Sequence, residues 1–307
     1  MSEDLEQRDR RGRTPLIRAC EEGDLEQVQR LIDKGANIEA EAIWGRTPLV
    51  FACQKGHESI VRLLIDKGAE IGPESLKMAA KDGHAAVAEL LIRTGIDIND
   101  TTRWGGGFTA LIIASQEGHV DVVDCLLSLG ADIELRDWND ITALMWASQN
   151  GMIDVVDRLL AAGCNVNAQD NERSTALMFA AQGGYVPIID RLVVHGADFN
   201  LQKEYGENAL MLASREGKTE AVNRLLSLGC DVNAQSERGW TALMWACSQG
   251  KIDIVRLLLD HGADPLLQDT DGKRALDLVP ASSPEIQTLL NGLILLSFHH
   301  HHHHRVP

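Results

Sequence analysis

A chain of 307 residues with 44% hydrophobic and 24% charged residues has enough apolar surface to bury a large core, so composition excludes a disordered chain. Its 29 basic and 45 acidic side chains leave a formal charge of −16, which repels phosphate backbones and favours protein partners over nucleic acid. The chain has no apolar run of the roughly 18 residues a membrane helix needs, and no apolar stretch follows the opening MSEDLEQRDRRGR, so a soluble cytoplasmic protein is expected.

From residue 14 onward the chain repeats itself. A leucine two places after a Thr, or in the same register, stands at Leu16, Leu49, Leu76, Leu111, Leu144, Leu177, Leu210, Leu243 and Leu276, mostly 33 residues apart. Seven residues after each of the first eight comes a glycine, from Gly23 to Gly250, and nineteen after comes another, from Gly35 to Gly262. Glycine at fixed offsets marks turns of left-handed backbone, so each unit is predicted to hold two short helices. The first helix opens on Thr14, Thr47, Thr109, Thr142, Thr175, Asn208 or Thr241, and Pro15 and Pro48 occupy a first-turn position where a missing N–H costs nothing. In the fifth unit Val155, Val156, Leu159 and Leu160 form an apolar stripe that one helix pair cannot bury, so neighbouring units are expected to stack.

Two units break the spacing. The third is short by six residues, running from Gly68 almost directly to Leu76, and should lack the polar finger found between other units. The fourth is longer by two and carries Trp104 and Phe108 around Gly105, Gly106 and Gly107. This finger is expected to lean over the notch beside Met78 left by the missing one. Residues 270–292 read as a C-terminal cap, 293–298 as an apolar tail, and 299–307 as an expression tag.

The segments TPLIRACEEGD, TPLVFACQKGH, TALIIASQEGH and LLDHGAD resemble the ankyrin repeat. The resemblance implies an all-α solenoid of about nine helix-turn-helix units with β-hairpin-like fingers, one continuous array over residues 1–292. The family's usual histidine after the register leucine is replaced here by Met145, Met178, Met211 and Met244, read as apolar filler.

Aromatic residues are placed unevenly. At 100° per residue, the slot two after the register leucine lies opposite the helix pair's core, and it holds Phe51, Trp146, Phe179 and Trp245 among aliphatic residues. The fingers carry Trp44, Trp104, Phe108, Trp138, Tyr205 and Trp240. In ankyrin proteins the fingers and the inner face of the first helix form a concave groove, so the resemblance makes these ten the candidate partner-binding residues. Stacking on adjacent units is the alternative role, for the helical slots above all.

Catalytic and metal chemistry is not expected. The five histidines outside the tag and the six cysteines each occupy a recurrent slot, and no HExxH, CxxC, phosphate-cradling or G-x-S-x-G motif occurs. The cysteines are expected as reduced thiols. The reading is a monomeric, cofactor-free scaffold that takes a peptide or protein loop in its groove; a regulator that occludes a partner enzyme's active site is the alternative. Asn167, Asn200 and Asn233 resemble asparagines that some ankyrin proteins present for hydroxylation, with a turn-forming role as the plainer reading.

Overall fold

A computed structural model describes residues 3–303. Seventeen α-helices and three short 3-10 turns account for the regular structure of the described residues, with one isolated bridge between Arg136 and Thr142. The chain divides into two compact units, one comprising residues up to 147 together with 154–164, the other 148–153 together with 165 onward. Among the described residues no helix is long and apolar enough to cross a membrane.

In the first unit, helices α1 (Pro15–Glu22), α3 (Pro48–Lys55), α5 (Pro73–Asp82) and α7 (Ala110–Glu117) pack side by side as one layer. Behind them run α2 (Leu25–Asp33), α4 (Glu58–Asp66), α6 (Ala85–Arg93) and α8 (Val120–Ser128). The predicted caps form: Thr14, Thr47 and Thr109 accept from the N–H groups of Ile17, Val50 and Ile112, and each first helix ends on a left-handed glycine. Helices α9 (Ala143–Gln149) and α10 (Ile153–Ala161) continue the pattern.

The histidines after those glycines have a specific task. His57, His84 and His119 each place Nε2 2.8–3.0 Å from a carbonyl oxygen of the preceding unit, at Glu21, Gln54 and Lys81. A Cβ on Gly23 would lie 2.7 Å from the His57 ring, so the glycine supplies close approach as well as φ +77°. Imidazole links between units thus replace the ligand role that histidines can have.

In the second unit α11 (Ala176–Gly183), α13 (Ala209–Arg215) and α15 (Ala242–Ser248) form the first layer, backed by α12 (Val186–Val194), α14 (Thr219–Ser227) and α16 (Ile252–Asp260). Asn167 and Asn233 bridge repeats: each side chain accepts from the N–H of Asp198 or Asp264 and donates to the carbonyl of Gly196 or Gly262. The ninth unit keeps only a 3-10 turn, Ala275–Leu278, followed by the long helix α17 (Pro284–His303), so the predicted apolar tail continues a helix. The end of the expected tag lies outside the described residues.

All six cysteines are free. Burial pushes the thiols of Cys20, Cys164, Cys230 and Cys247 up to about 12, with smaller carboxylate effects at Cys164, which keeps them protonated and unreactive near neutral pH.

Candidate functional site

The fingers close by one recurrent bond, from a backbone N–H to the carbonyl four residues on: Asp9 to Arg13, Ala42 to Arg46, Asp137 to Ile141, Asp170 to Ser174, Lys203 to Glu207, Ser236 to Trp240 and Asp269 to Lys273. Where the first residue is Asp, its Oδ1 also accepts the N–H groups two and four places on, as at Asp137, Asp170 and Asp269. That carboxylate organises the tip, and one left-handed residue per turn suffices. Ala42 and Lys203 have no such carboxylate, and their fingers turn through two successive left-handed residues, Trp44–Gly45 and Tyr205–Gly206. Trp44 has φ 59° and Tyr205 φ 68°, values costly for a bulky side chain.

These two tips each open a cleft. In the first unit Trp44 is 80% exposed, with the Arg46 guanidinium 4.9 Å from its ring centre. The cleft beside it, about 430 Å³, is bordered by Trp44 and Arg46, by Glu74, Met78 and Lys81 of α5, and by Arg103 and Trp104 of the fourth finger. It is the notch expected from the missing finger. Gly45 has no backbone from a neighbouring finger within 4 Å of its Cβ position, whereas Gly206 would meet the N of Glu237 at 2.8 Å.

Trp104 borders this notch as expected, and Phe108 turns the other way to meet Trp146 edge-on, with ring centroids 6.2 Å apart. The finger is tied down by a residue sequence reasoning overlooked. Lys77, 1% exposed, sits in the slot after the register leucine and pairs with Asp100 Oδ1 at 3.0 Å, while also donating to the Thr102 carbonyl. Burial raises the Asp100 carboxyl, but hydrogen bonds from Lys77 and Thr102 and the Lys77 charge outweigh it and hold the group below its ordinary value. Every other unit from the first to the eighth puts an apolar residue in that slot, so the lysine was visible as an exception.

Trp138 is 75% exposed at the next tip, and its backbone N–H donates to the Gly106 carbonyl at 2.9 Å. One edge of its ring lies on Gly107, whose Cβ position is 2.4 Å from Trp138 Cδ1, which leaves the other face free. Trp146 is half-buried, and its Nε1 donates to Asp137 Oδ2 at 2.9 Å. Phe51, predicted to contact a partner, is instead 6% exposed against Ile17 and Ala40, because its slot is covered by neighbouring units; it packs the stack. Met78, Ile113 and Leu212 in the same slot are buried for that reason too.

In the second unit Tyr205, 63% exposed, shares a pocket of about 340 Å³ with Glu207, Ser236, Arg238, Trp240 and Trp245. Trp240 and Trp245 pack with ring centroids 4.6 Å apart, and Trp240 Nε1 donates to Asp269 Oδ2 at 3.1 Å. The Arg215 guanidinium lies 5.4 Å from the Trp245 ring centre and pairs with Glu207 at 2.8 Å. Phe179 is half-buried on α11. Adjacent fingers are bonded through their backbones, Glu204 N to Glu172 O, Glu237 N to Tyr205 O and Thr270 N to Arg238 O, so the aromatic tips stand on a stiff base. Among the described residues no group of three or more His, Cys, Asp or Glu side chains is arranged to hold a metal ion.

Paired helices repeating every 33 residues, joined by short projecting fingers with aromatic tips, define a repeat protein of the recognition class. The family described as "Ankyrin repeats (3 copies)" matches residues 2–75, 71–137, 144–236, 177–269 and 217–291, and the chain belongs to it. The human ASB11 ankyrin repeat domain, known from a crystal structure, is similar at 25% identity and a TM-score of 0.63, covering 70% of this chain and 96% of that one. Solved chains that match number 575, so the fold by itself selects no partner. No curated protein matches the sequence. Ankyrin repeats are generally protein–protein interaction modules, typically without enzymatic activity.

Proposed function

We infer that this protein holds a peptide or loop of a partner protein against its finger tips and the half-buried rings beneath them. The observation that carries this reading is the pair Trp44 and Tyr205, each a large exposed aromatic at a left-handed position. Such backbone costs on the order of 1–3 kcal/mol, and a mostly exposed ring recovers little of it by burial within the chain. A glycine or asparagine would serve the turn better, so the aromatic identity fits a contact made outside the molecule. Trp138 on its stiffened finger adds a third exposed ring in the first unit, and each unit has its own cleft beside its left-handed ring.

The test is capture of partners from the native cell extract by the unaltered protein and by a Trp44→Ala, Trp138→Ala, Tyr205→Ala variant. Loss of a captured partner by more than about 2 kcal/mol in affinity, with an unchanged melting midpoint, is the expected result. Equal capture by both proteins would remove these rings from the binding surface. If the partner is an enzyme, its activity with and without this protein separates tethering from occlusion of its active site.

A further inference from the structure

The second unit's aromatic pocket contains a donor that the fold leaves unanswered. Trp146 and Trp245 occupy the same repeat position, and Trp146 Nε1 donates to Asp137 nine residues earlier. Nine residues before Trp245 stands Ser236, whose shorter side chain makes no hydrogen bond to the ring N–H. Trp245 Nε1 is buried and has no hydrogen-bond partner among the described residues. A buried donor without an acceptor is uncommon and costly, and here the repeat itself shows which group is missing: a carboxylate.

Two neighbours point to the same ligand. The side chain of Arg238, lining the pocket, forms no hydrogen bond or ion pair among the described residues. The Ser236 hydroxyl accepts from Trp240 N at 3.2 Å and keeps its own proton to donate. The acidic lining residue, Glu207, is already committed to Arg215 at 2.8 Å. The Arg238 and Ser236 donors, with the buried Trp245 N–H among the same lining residues as the Tyr205 and Trp240 rings, suit a group that only accepts and that is attached to an apolar body.

We propose that this pocket recognises an Asp or Glu side chain of a partner protein next to an aromatic or leucine side chain, the carboxylate taking the place that Asp137 holds beside Trp146. Trp240 covers one side of Trp245, so the acid enters from the Ser236 side and bridges the indole N–H and Arg238, while its apolar neighbour lies against Tyr205. The chain's charge of −16 opposes an acidic ligand at long range, but screening over about 8 Å at physiological salt leaves the local donors in control. The proposal rests on the reading of the aromatic surface as a binding face and names what one part of it selects.

The experiment uses the full chain labelled with nitrogen-15 and follows the indole N–H signals of its six tryptophans. A pool of capped hexapeptides carrying one Asp or Glu beside Phe, Trp or Leu is titrated against the same pool with Asn and Gln. The acidic pool is expected to move the Trp245 signal, assigned by Trp245→Phe, and the amide pool to bind at least about tenfold more weakly. Ser236→Asp, which restores the carboxylate within the chain, should abolish the response, and Arg238→Gln should weaken it about tenfold; the second variant tests the idea even if the first disturbs the finger. Equal response to both pools, or an unchanged affinity in Ser236→Asp, would overturn the proposal while leaving the binding surface standing. Movement confined to Trp44 or Trp138 would do the same, and stillness of all six signals would sink both.

Discussion

The stretches TALMWASQNG at Thr142–Gly151 and TALMWACSQG at Thr241–Gly250 are nearly one sequence, yet their tryptophans live under different conditions. Trp146 gives its N–H to Asp137 and an edge contact to Phe108; Trp245 has an arginine near its face, a second indole beside it and, among the described residues, no acceptor for its N–H. A repeat copies the helix, but the residue nine places earlier sits in a finger that varies freely. The difference between repeats is therefore written in what each finger supplies to an otherwise constant helix.

The largest effect should come from exchanging the slot after the register leucine. Lys77 is buried with Asp100 and the Thr102 carbonyl waiting for it, whereas Met244 is buried among apolar neighbours. Met244→Lys should cost more than about 4 kcal/mol, because the charge would have no partner. Lys77→Met should cost only about 1–3 kcal/mol, since Asp100 keeps partial access to water. Urea midpoints that fall equally for both would show that the third unit has no special polar anchor.

Next in size is the comparison of the two fingers. Asp137→Ala strands the N–H groups of Asn139, Ile141 and Trp146 and should lose about 2–4 kcal/mol, while Ser236→Ala should lose less than about 1 kcal/mol. Matching losses in thermal melts would contradict the assignment of the carboxylate as the organiser of its tip. A smaller and more pointed contrast lies in the rings. Trp146→Phe should cost about 1 kcal/mol by orphaning Asp137 Oδ2, and Trp245→Phe should be neutral or stabilising once ring size is accounted for, because it deletes a donor with no partner. A larger loss at Trp245 would mean its N–H is satisfied after all.

The smallest effect is on pH. Asp100 in the folded chain titrates below its ordinary 3.8, so its contribution is complete above that value and disappears as pH falls through the folded one. Asp269 behaves the same way: burial raises it, and the N–H groups of Lys273 and Asp271 with the Trp240 indole more than reverse this. Asp100→Asn should flatten the fall in urea midpoint between about pH 4 and pH 2. An unchanged slope would remove the Lys77 pair from the acid response.

The repeat, its helix pairs, the caps and the family were legible in the sequence because each depends on neighbours close along the chain: Thr14 caps Ile17 three residues away, and glycine fixes its own φ. The missing finger was legible as a count, and the notch followed from it. The candidate surface was only half legible. Helical angle placed Phe51 and Trp245 alike, and what separated them was coverage by a neighbouring repeat, a quantity no single helix contains. Nor could spacing show that Arg215 would engage Glu207 and leave Arg238 unpaired, or that Lys77 would reach Asp100 and Thr102 across the shortened unit. Sequence by itself determined which residues recur; tertiary structure decided which of them found a partner, because hydrogen-bond satisfaction depends on distances of about 3 Å between residues that lie tens of positions apart.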